Sequence, residues 1–219
     1  MVGKIEDLDS LEKIKEVDIS GMLSVVAETP EMLLKAQELL PNTALRKVKK
    51  IRQVVVAGMG GSAIAGDIAA GLFSGKIDLP LYVMRGYRLP AFVGKETLFF
   101  ALSYSGNTEE TLSAVKEAER CGAKIICIAS GGKLKEIAEK NNHPAYLIPS
   151  GYESRAALPY LLMPILKSLE EAGIISGFRE ELNKSVELLR KLRGEYGEGR
   201  PLRGNPVKQL AKKLLGKIP

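Results

Sequence analysis

Five short apolar runs punctuate the middle of the chain, at 54–57, 81–84, 98–102, 124–129 and 145–148, and the stretches between them are of crossover length and carry helical spacing. The runs are rich in β-branched and aromatic residues and lack the every-second-residue alternation of a half-exposed strand. They read as strands buried on both faces. The pattern predicts an α/β fold in which five parallel strands form a doubly wound sheet covered by helices on both sides. In such sheets ligands bind outside the carboxyl ends of the strands, where strand order reverses.

The flanks are helical. Residues 4–17 place Ile5, Leu8, Leu11, Ile14 and Val17 at intervals of three among Lys and Glu, a one-sided helix that needs a surface to lie on. Thr29-Pro30 reads as an N-cap with proline at the first helical position, ahead of Met32, Leu33, Ala36, Leu39 and Leu40, with Pro41-Asn42 as the stop. After the last strand, 156–173 is almost free of charge until Lys167 and carries Pro159 and Pro164, which are expected to bend a buried helix. A charged helix over 178–193 shows Phe178, Leu182, Val186, Leu189 and Leu192 on one side. Beyond a Gly/Pro/Arg linker, Asn205-Pro206 opens a final helix with Val207, Leu210, Ala211, Leu214 and Leu215 inward. The chain divides into a helical preface (1–50), an α/β domain (51–175) and C-terminal helices (176–219). Gly216 reads as a helix stop and Lys217-Ile218-Pro219 as the run-up to a further element, comparable with Val48-Lys-Lys-Ile51 before the first strand, so the 219 residues are expected to be part of a longer protein.

Composition narrows the class. Apolar residues at 45% and charged ones at 26% describe an ordinary globular chain. No stretch has the unbroken apolar length of a bilayer span and charge begins at Lys4, so no membrane helix or signal peptide is expected, and the cytoplasm is the expected location. Of the net charge of +6, residues 184–219 carry 10 Lys/Arg against 3 Asp/Glu, leaving the rest at −1. No aromatic–basic interleaving accompanies that excess, so a solvated helix face or docking surface is expected and no nucleic acid. Cys121 and Cys127 are expected to be reduced core thiols, not metal ligands or nucleophiles. Three Gln against abundant Lys and Glu is a balance of proteins from hot environments.

Two loops carry the chemistry. The first strand runs into Gly58-Met-Gly60-Gly61-Ser62 and then a helix, an arrangement that aims backbone N–H groups and the positive end of a helix dipole at an anion. The strand at 98–102 is followed by Ser103-Tyr-Ser105-Gly106-Asn107-Thr108-Glu109-Glu110, three hydroxyls and a glycine at another helix start. Asn107 with Glu110 forms a capping-box pattern, which accounts for those two residues but not for the serines flanking a glycine, an arrangement suited to phosphate oxygens. Gly58-x-Gly60-x-x-Ala63 also satisfies a loose dinucleotide fingerprint, with Arg85 placed to meet a 2′-phosphate, so an NADP-binding Rossmann domain stays open. Asp67, Glu109 and Glu110 read as acids of helix first turns. His143, before Pro144, reads as a surface or turn residue.

The two loops together, some forty positions apart, resemble the sugar isomerase (SIS) domain, and within it the N-terminal half of the bifunctional phosphoglucose/phosphomannose isomerases. The resemblance covers about residues 20 to 175, including Glu153-Ser-Arg155-Ala-Ala. It implies a flavodoxin-like sheet and a substrate of the sugar 6-phosphate class. Gly60, Gly61 and Ser62 would lie beside the sugar; Ser103, Ser105 and Thr108 would hold its phosphate; and Arg155 would steady an enediolate as glucose 6-phosphate or mannose 6-phosphate interconverts with fructose 6-phosphate. The residues of this chain allow two readings of Arg155: a fixed oxyanion donor, or an exposed arginine bridging Glu153. The resemblance further implies no cofactor or metal, a homodimer formed through SIS domains, and a base glutamate, histidine and lysine in a second SIS domain. This chain by itself is therefore expected to bind without turning over. A SIS module that senses a phosphosugar for regulation is the alternative.

Overall fold

A computed structural model describes residues 8–43 and 50–217. Strands β1 (Gln53–Ala57), β2 (Leu81–Met84), β3 (Thr97–Leu102), β4 (Lys124–Ala129) and β5 (Ala145–Leu147) form one sheet in the order β2-β1-β3-β4-β5, with every neighbouring pair parallel. The described α-helices are α1 (Leu11–Val17), α2 (Met22–Ala27), α3 (Thr29–Glu38), α4 (Gly60–Phe73), α5 (Glu109–Arg120), α6 (Gly132–Asn141), α7 (Leu158–Glu171), α8 (Phe178–Tyr196) and α9 (Pro206–Leu214), with a short 3-10 turn at Leu202–Gly204. The chain clusters into two units, residues 33–178 around the sheet and a helical unit from residues up to 32 and from 179 onward. None of the described helices is long and apolar enough to cross a membrane.

The sheet obeys the apolar pattern because each central strand is covered twice. All six residues of β3 are buried, as an alternation-free run requires. Val55, Ala57, Phe99, Ala101, Ile125 and Cys127 meet Ala114, Val115 and Ala118 of α5 and Leu134 and Ala138 of α6. On the other face α4 comes so close that a Cβ on Gly66 would fall 2.8 Å from Cγ1 of Val56 and 3.2 Å from Cγ1 of Val83. Gly→Ala inside a helix ordinarily stabilises by up to about 1 kcal/mol. Here overpacking reverses the sign: Gly66→Ala is expected to lose about 1–3 kcal/mol in urea unfolding, partly recovered by adding Val56→Ala. A midpoint at or above the parent value would contradict this.

Only one cysteine is in the core. Cys127 is buried in β4, and burial pushes its thiol up to about 12, whereas Cys121 caps the C-terminus of α5 and is exposed. The helix stops at Cys121, before the turn at Gly122 (φ 73°), and this places the first thiol in solvent. Because the native Cys127 thiol keeps its proton after the unfolded thiol has lost one, its contribution to stability is intact below the ordinary thiol range and declines as pH rises from about 9. A thiol reagent at pH 8 is expected to label Cys121 quickly and Cys127 only after denaturation. His143 lies in the turn before β5, at the amino-terminal end of that strand, with Nε2 2.8 Å from Glu119 Oε1.

The helical flanks depart from the periodicity in specific ways. Ser10 accepts a hydrogen bond from Lys13 N and starts α1 at Leu11, and no α1 residue is buried; residues 4–7 of the helix expected over 4–17, Ile5 among them, lie outside the described residues. Asp18 accepts from the N–H groups of Met22 and Leu23 and caps α2, a helix the spacing did not predict. With α2 directly ahead, Thr29 is no cap: its hydroxyl donates back to the Val26 carbonyl. Pro159 opens α7 in its first turn and only Pro164 is interior.

In α9, Asn205 caps as expected, accepting from Val207 N and Lys208 N. Val207, Leu210, Leu214 and Leu215 are nevertheless exposed and Lys208 is buried. The Lys208 ammonium donates to Asp9 at 3.0 Å and to the Glu198 carbonyl at 2.8 Å, which turns this helix face inward. That hydrogen bond, with one from Leu202 N–H, holds the Asp9 carboxyl below the usual carboxylate range. Ile218 and Pro219 of the expected run-up, and Val48 and Lys49 before β1, lie outside the described residues.

Candidate functional site

The chain reverses direction across the sheet between β1 and β3, and the loops that leave these two strands flank the resulting crevice at their carboxyl ends. On the β1 side, a Cβ on Gly58 would lie 3.2 Å from both Ala63 N and Leu102 O, so glycine lets the turn pass between the first turn of α4 and the end of β3. Met59 enters α4 in an extended conformation without a side-chain cap, and its carbonyl receives the N–H groups of Ser62 and Ala63. Gly60 follows at φ 49°, a left-handed conformation glycine adopts without strain. The N–H groups of Gly60 and Gly61 therefore head the helix as donors, with the dipole behind them.

On the β3 side the loop folds on its own hydroxyls. Ser103 is fully buried; its Oγ accepts from Thr108 N at 3.3 Å and lies 2.8 Å from Thr108 Oγ1. Ser105 is exposed and its Oγ accepts from Asn107 N at 3.3 Å, leaving the hydroxyl proton to donate outward. Tyr104 N donates to Ser62 Oγ at 3.2 Å, which joins the two loops directly and leaves the Ser62 proton available. Of the predicted site residues, Gly60, Gly61, Ser62, Ser103, Ser105 and Thr108 are thus gathered around one crevice.

The capping box does not form. Thr108, not Asn107, is the N-cap of α5 and makes no side-chain capping bond. Asn107 instead donates to the Ser105 carbonyl two residues back and accepts from Lys133 N at 3.1 Å. It is drawn away because a third glycine turn, Ser130-Gly131-Gly132, follows β4 and brings the start of α6 alongside. The Gly106 carbonyl takes Leu134 N at 2.9 Å in the same turn. The α6 N-terminus is thereby filled by protein acceptors, while that of α5 is left open toward the crevice. Glycines after a strand were the readable signal for this third turn; the Asn107 contact had none.

The segment ahead of α7 closes a third side. A Cβ on Gly61 would sit 3.0 Å from Ser154 Oγ and 3.3 Å from Arg155 N, so the backbone of Arg155 rests on the first turn of α4. Arg155 is exposed, in the turn before α7, with Nη2 3.9 Å from Glu153 Oε2. Both sequence readings of this arginine fit: the ion pair is loose and solvated, worth little to stability, and the guanidinium is free to turn toward an oxyanion. Glu109 and Glu110 lie in the first turn of α5 as expected. Asp67 does not belong to a first turn. It lies in mid-α4 and pairs with Arg85, the arginine a 2′-phosphate would need. The arrangement offers a small anion the hydroxyls of Ser62, Ser105 and Thr108 and two helix N-termini, with the exposed Arg155 on the neighbouring segment.

Comparison with known proteins bears on what that anion is. The SIS domain family matches residues 47–159. The bifunctional phosphoglucose/phosphomannose isomerase of Caldicellulosiruptor bescii is 43% identical over 199 residues, covering 90% of this chain and 59% of that protein. The D-glucosamine-6-phosphate 4-epimerase of Sulfolobus acidocaldarius is 41% identical over 128 residues, covering 57% of this chain and 40% of that protein. The chain thus spans about half the length of these relatives. Among solved structures, the C-terminal domain of glucosamine-fructose-6-phosphate aminotransferase from Francisella tularensis superposes with a TM-score of 0.59 at 18% identity, over 80% of this chain and 54% of that one, a likeness of fold.

Proposed function

This chain belongs to the SIS domain family, and from that membership and the site's geometry we propose that it is the phosphosugar-binding half of an aldose–ketose isomerase acting on glucose 6-phosphate or mannose 6-phosphate and fructose 6-phosphate. The observation that carries the reading is the hydroxyl-lined 103–108 loop facing the uncapped start of α4 across the strand-order reversal. The relatives supply the ligand class: an isomerase matched over 90% of this chain and a 4-epimerase matched over 57% of it, at 43% and 41% identity, are named for different reactions, and both names contain a phosphorylated hexose. What they share here is better explained by holding a phosphosugar than by one chemical step.

In this proposal Ser105 and Thr108 donate to the phosphate, and the fully buried Ser103 holds it through Thr108. The Ser103–Thr108 pair has one proton too many for both hydroxyls to point inward, so an anion beside Thr108 selects one orientation: Ser103 donates to Thr108, and Thr108 donates to the phosphate. Gly60, Gly61 and Ser62 place the sugar against the head of α4. Isomerisation moves one proton between C1 and C2 through an enediolate, whose developing negative oxygen Arg155 would stabilise from above Gly61. The base that takes the C2 or C1 proton is assigned to a second domain of the kind seen in the family, because the chain's histidine, His143, sits at the amino-terminal end of β5, away from the crevice.

Titration calorimetry tests the reading. Fructose 6-phosphate is expected to bind where fructose does not, and a coupled assay with glucose 6-phosphate is expected to show no turnover by these 219 residues alone. Heat from NADPH and none from any hexose 6-phosphate would replace the proposal with the dinucleotide reading. Binding with no second SIS domain encoded downstream would favour a regulatory sensor.

A further inference from the structure

We propose that Tyr104 is a positioning residue whose phenol couples the phosphate-holding loop to the segment that carries Arg155; the inference rests on the phosphosugar reading above. Tyr104 sits between Ser103 and Ser105, and every polar atom it owns is committed to a different strand-end segment. Its N–H donates to Ser62 Oγ, and its carbonyl accepts from both Ser130 N at 2.9 Å and Ser130 Oγ at 2.6 Å. Its hydroxyl donates to the Pro149 carbonyl at 3.2 Å and accepts from Tyr152 N at 2.8 Å. One residue thus touches the ends of three loops, after β1, β4 and β5, from a place inside the loop after β3.

The phenol's two bonds matter most. Pro149 and Tyr152 belong to the exposed segment that leads into Glu153, Ser154 and Arg155, and Tyr152 also lays its ring against Tyr160 of α7, centroids 5.7 Å apart. Three residues beyond Tyr152, the Arg155 backbone rests on Gly61. The backbone that carries Arg155 is therefore held from two ends, by the head of α4 and by the Tyr104 hydroxyl. When phosphate orders Ser103, Ser105 and Thr108, it orders Tyr104 between them, and the phenol transmits that order to 149–155. The coupling predicts that a phosphate alone, with no sugar attached, tightens a segment it does not touch. It also separates Tyr104 from the groups that hold the phosphate: losing the hydroxyl should spare the anion and weaken the sugar.

The test compares the parent chain with Tyr104→Phe, which keeps the ring and its backbone bonds. In calorimetry, Tyr104→Phe is expected to bind inorganic phosphate within about twofold of the parent but fructose 6-phosphate at least about fivefold more weakly, the scale of one lost hydrogen bond in a site. Amide exchange followed by NMR supplies a readout on the parent chain itself: inorganic phosphate is expected to slow exchange at Tyr152 and its neighbours, and Tyr104→Phe to abolish that slowing. A merely structural tyrosine would weaken both ligands alike, or neither, and either result overturns the proposal, as does a Tyr152 amide indifferent to phosphate in the parent. If the parent bound no hexose 6-phosphate at all, the phosphosugar reading and this inference would fall together. If the parent bound it and the ratio of the two affinities were unchanged in Tyr104→Phe, only the inference would fall.

Discussion

Gly106→Ala is expected to lower stability by about 3 kcal/mol or more and to abolish hexose 6-phosphate binding. Gly106 has φ 73°, and a Cβ there would fall 1.8 Å from the Gly131 carbonyl oxygen and 2.7 Å from its carbon. The obstacle is backbone, which cannot rotate aside as a side chain can. Two loops must separate, and their separation breaks the Leu134 N–H bond to the Gly106 carbonyl and the Asn107 contact to Lys133. Strain in the left-handed region adds to the clash. Urea unfolding and calorimetry with fructose 6-phosphate measure the two consequences, and a parent-like midpoint would show that the interlock of 103–108 with 130–134 is wrongly described.

A second large effect is expected at Thr108. Thr108→Val keeps the shape and the β-branch but removes the hydroxyl that faces both Ser103 and, in the proposal, the phosphate. A hydrogen bond to a charged group is worth about 1.5–3 kcal/mol, so fructose 6-phosphate should bind about 10- to 100-fold more weakly. Stability should change by only about 1 kcal/mol, because Thr108 N–H keeps its bond to the Ser103 oxygen. Thr108→Ser is expected to restore most of the affinity. Loss in both variants would locate the effect in loop shape; loss in neither would remove Thr108 from the phosphate site.

Much of the framework was legible because it rests on local rules. The five apolar runs match the strands to within a residue at either end, but only β1, β3 and β4 are covered on both faces as the runs suggested; the edge strands β2 and β5 leave Tyr82 and Leu147 exposed, because an edge has a neighbour on one side only. The two glycine-containing loops announced themselves by composition, and the strand-order reversal between β1 and β3 is what made neighbours of them. The errors have a common form. Asn107 and Thr29 were read as caps for the helix that follows each in sequence, but a turn after β4 captured the first and a preceding helix captured the second. The apolar side of α9 was expected inward, and Lys208 went there instead, drawn by Asp9, a residue 199 positions away.

What the amino-acid sequence determined on its own is the strands, most of the helices, their order, and the residue types offered at each strand end, because hydrophobic period and glycine act over a few residues. Only the tertiary structure decided which polar atoms meet. Ser62 finds Tyr104 42 positions on, and the Tyr104 hydroxyl finds Tyr152 48 positions on. A buried donor must be satisfied by whichever acceptor lies within about 3 Å. In a doubly wound sheet that acceptor is chosen by which strands lie side by side, and the strand order is a property of the whole fold that no single window of sequence contains.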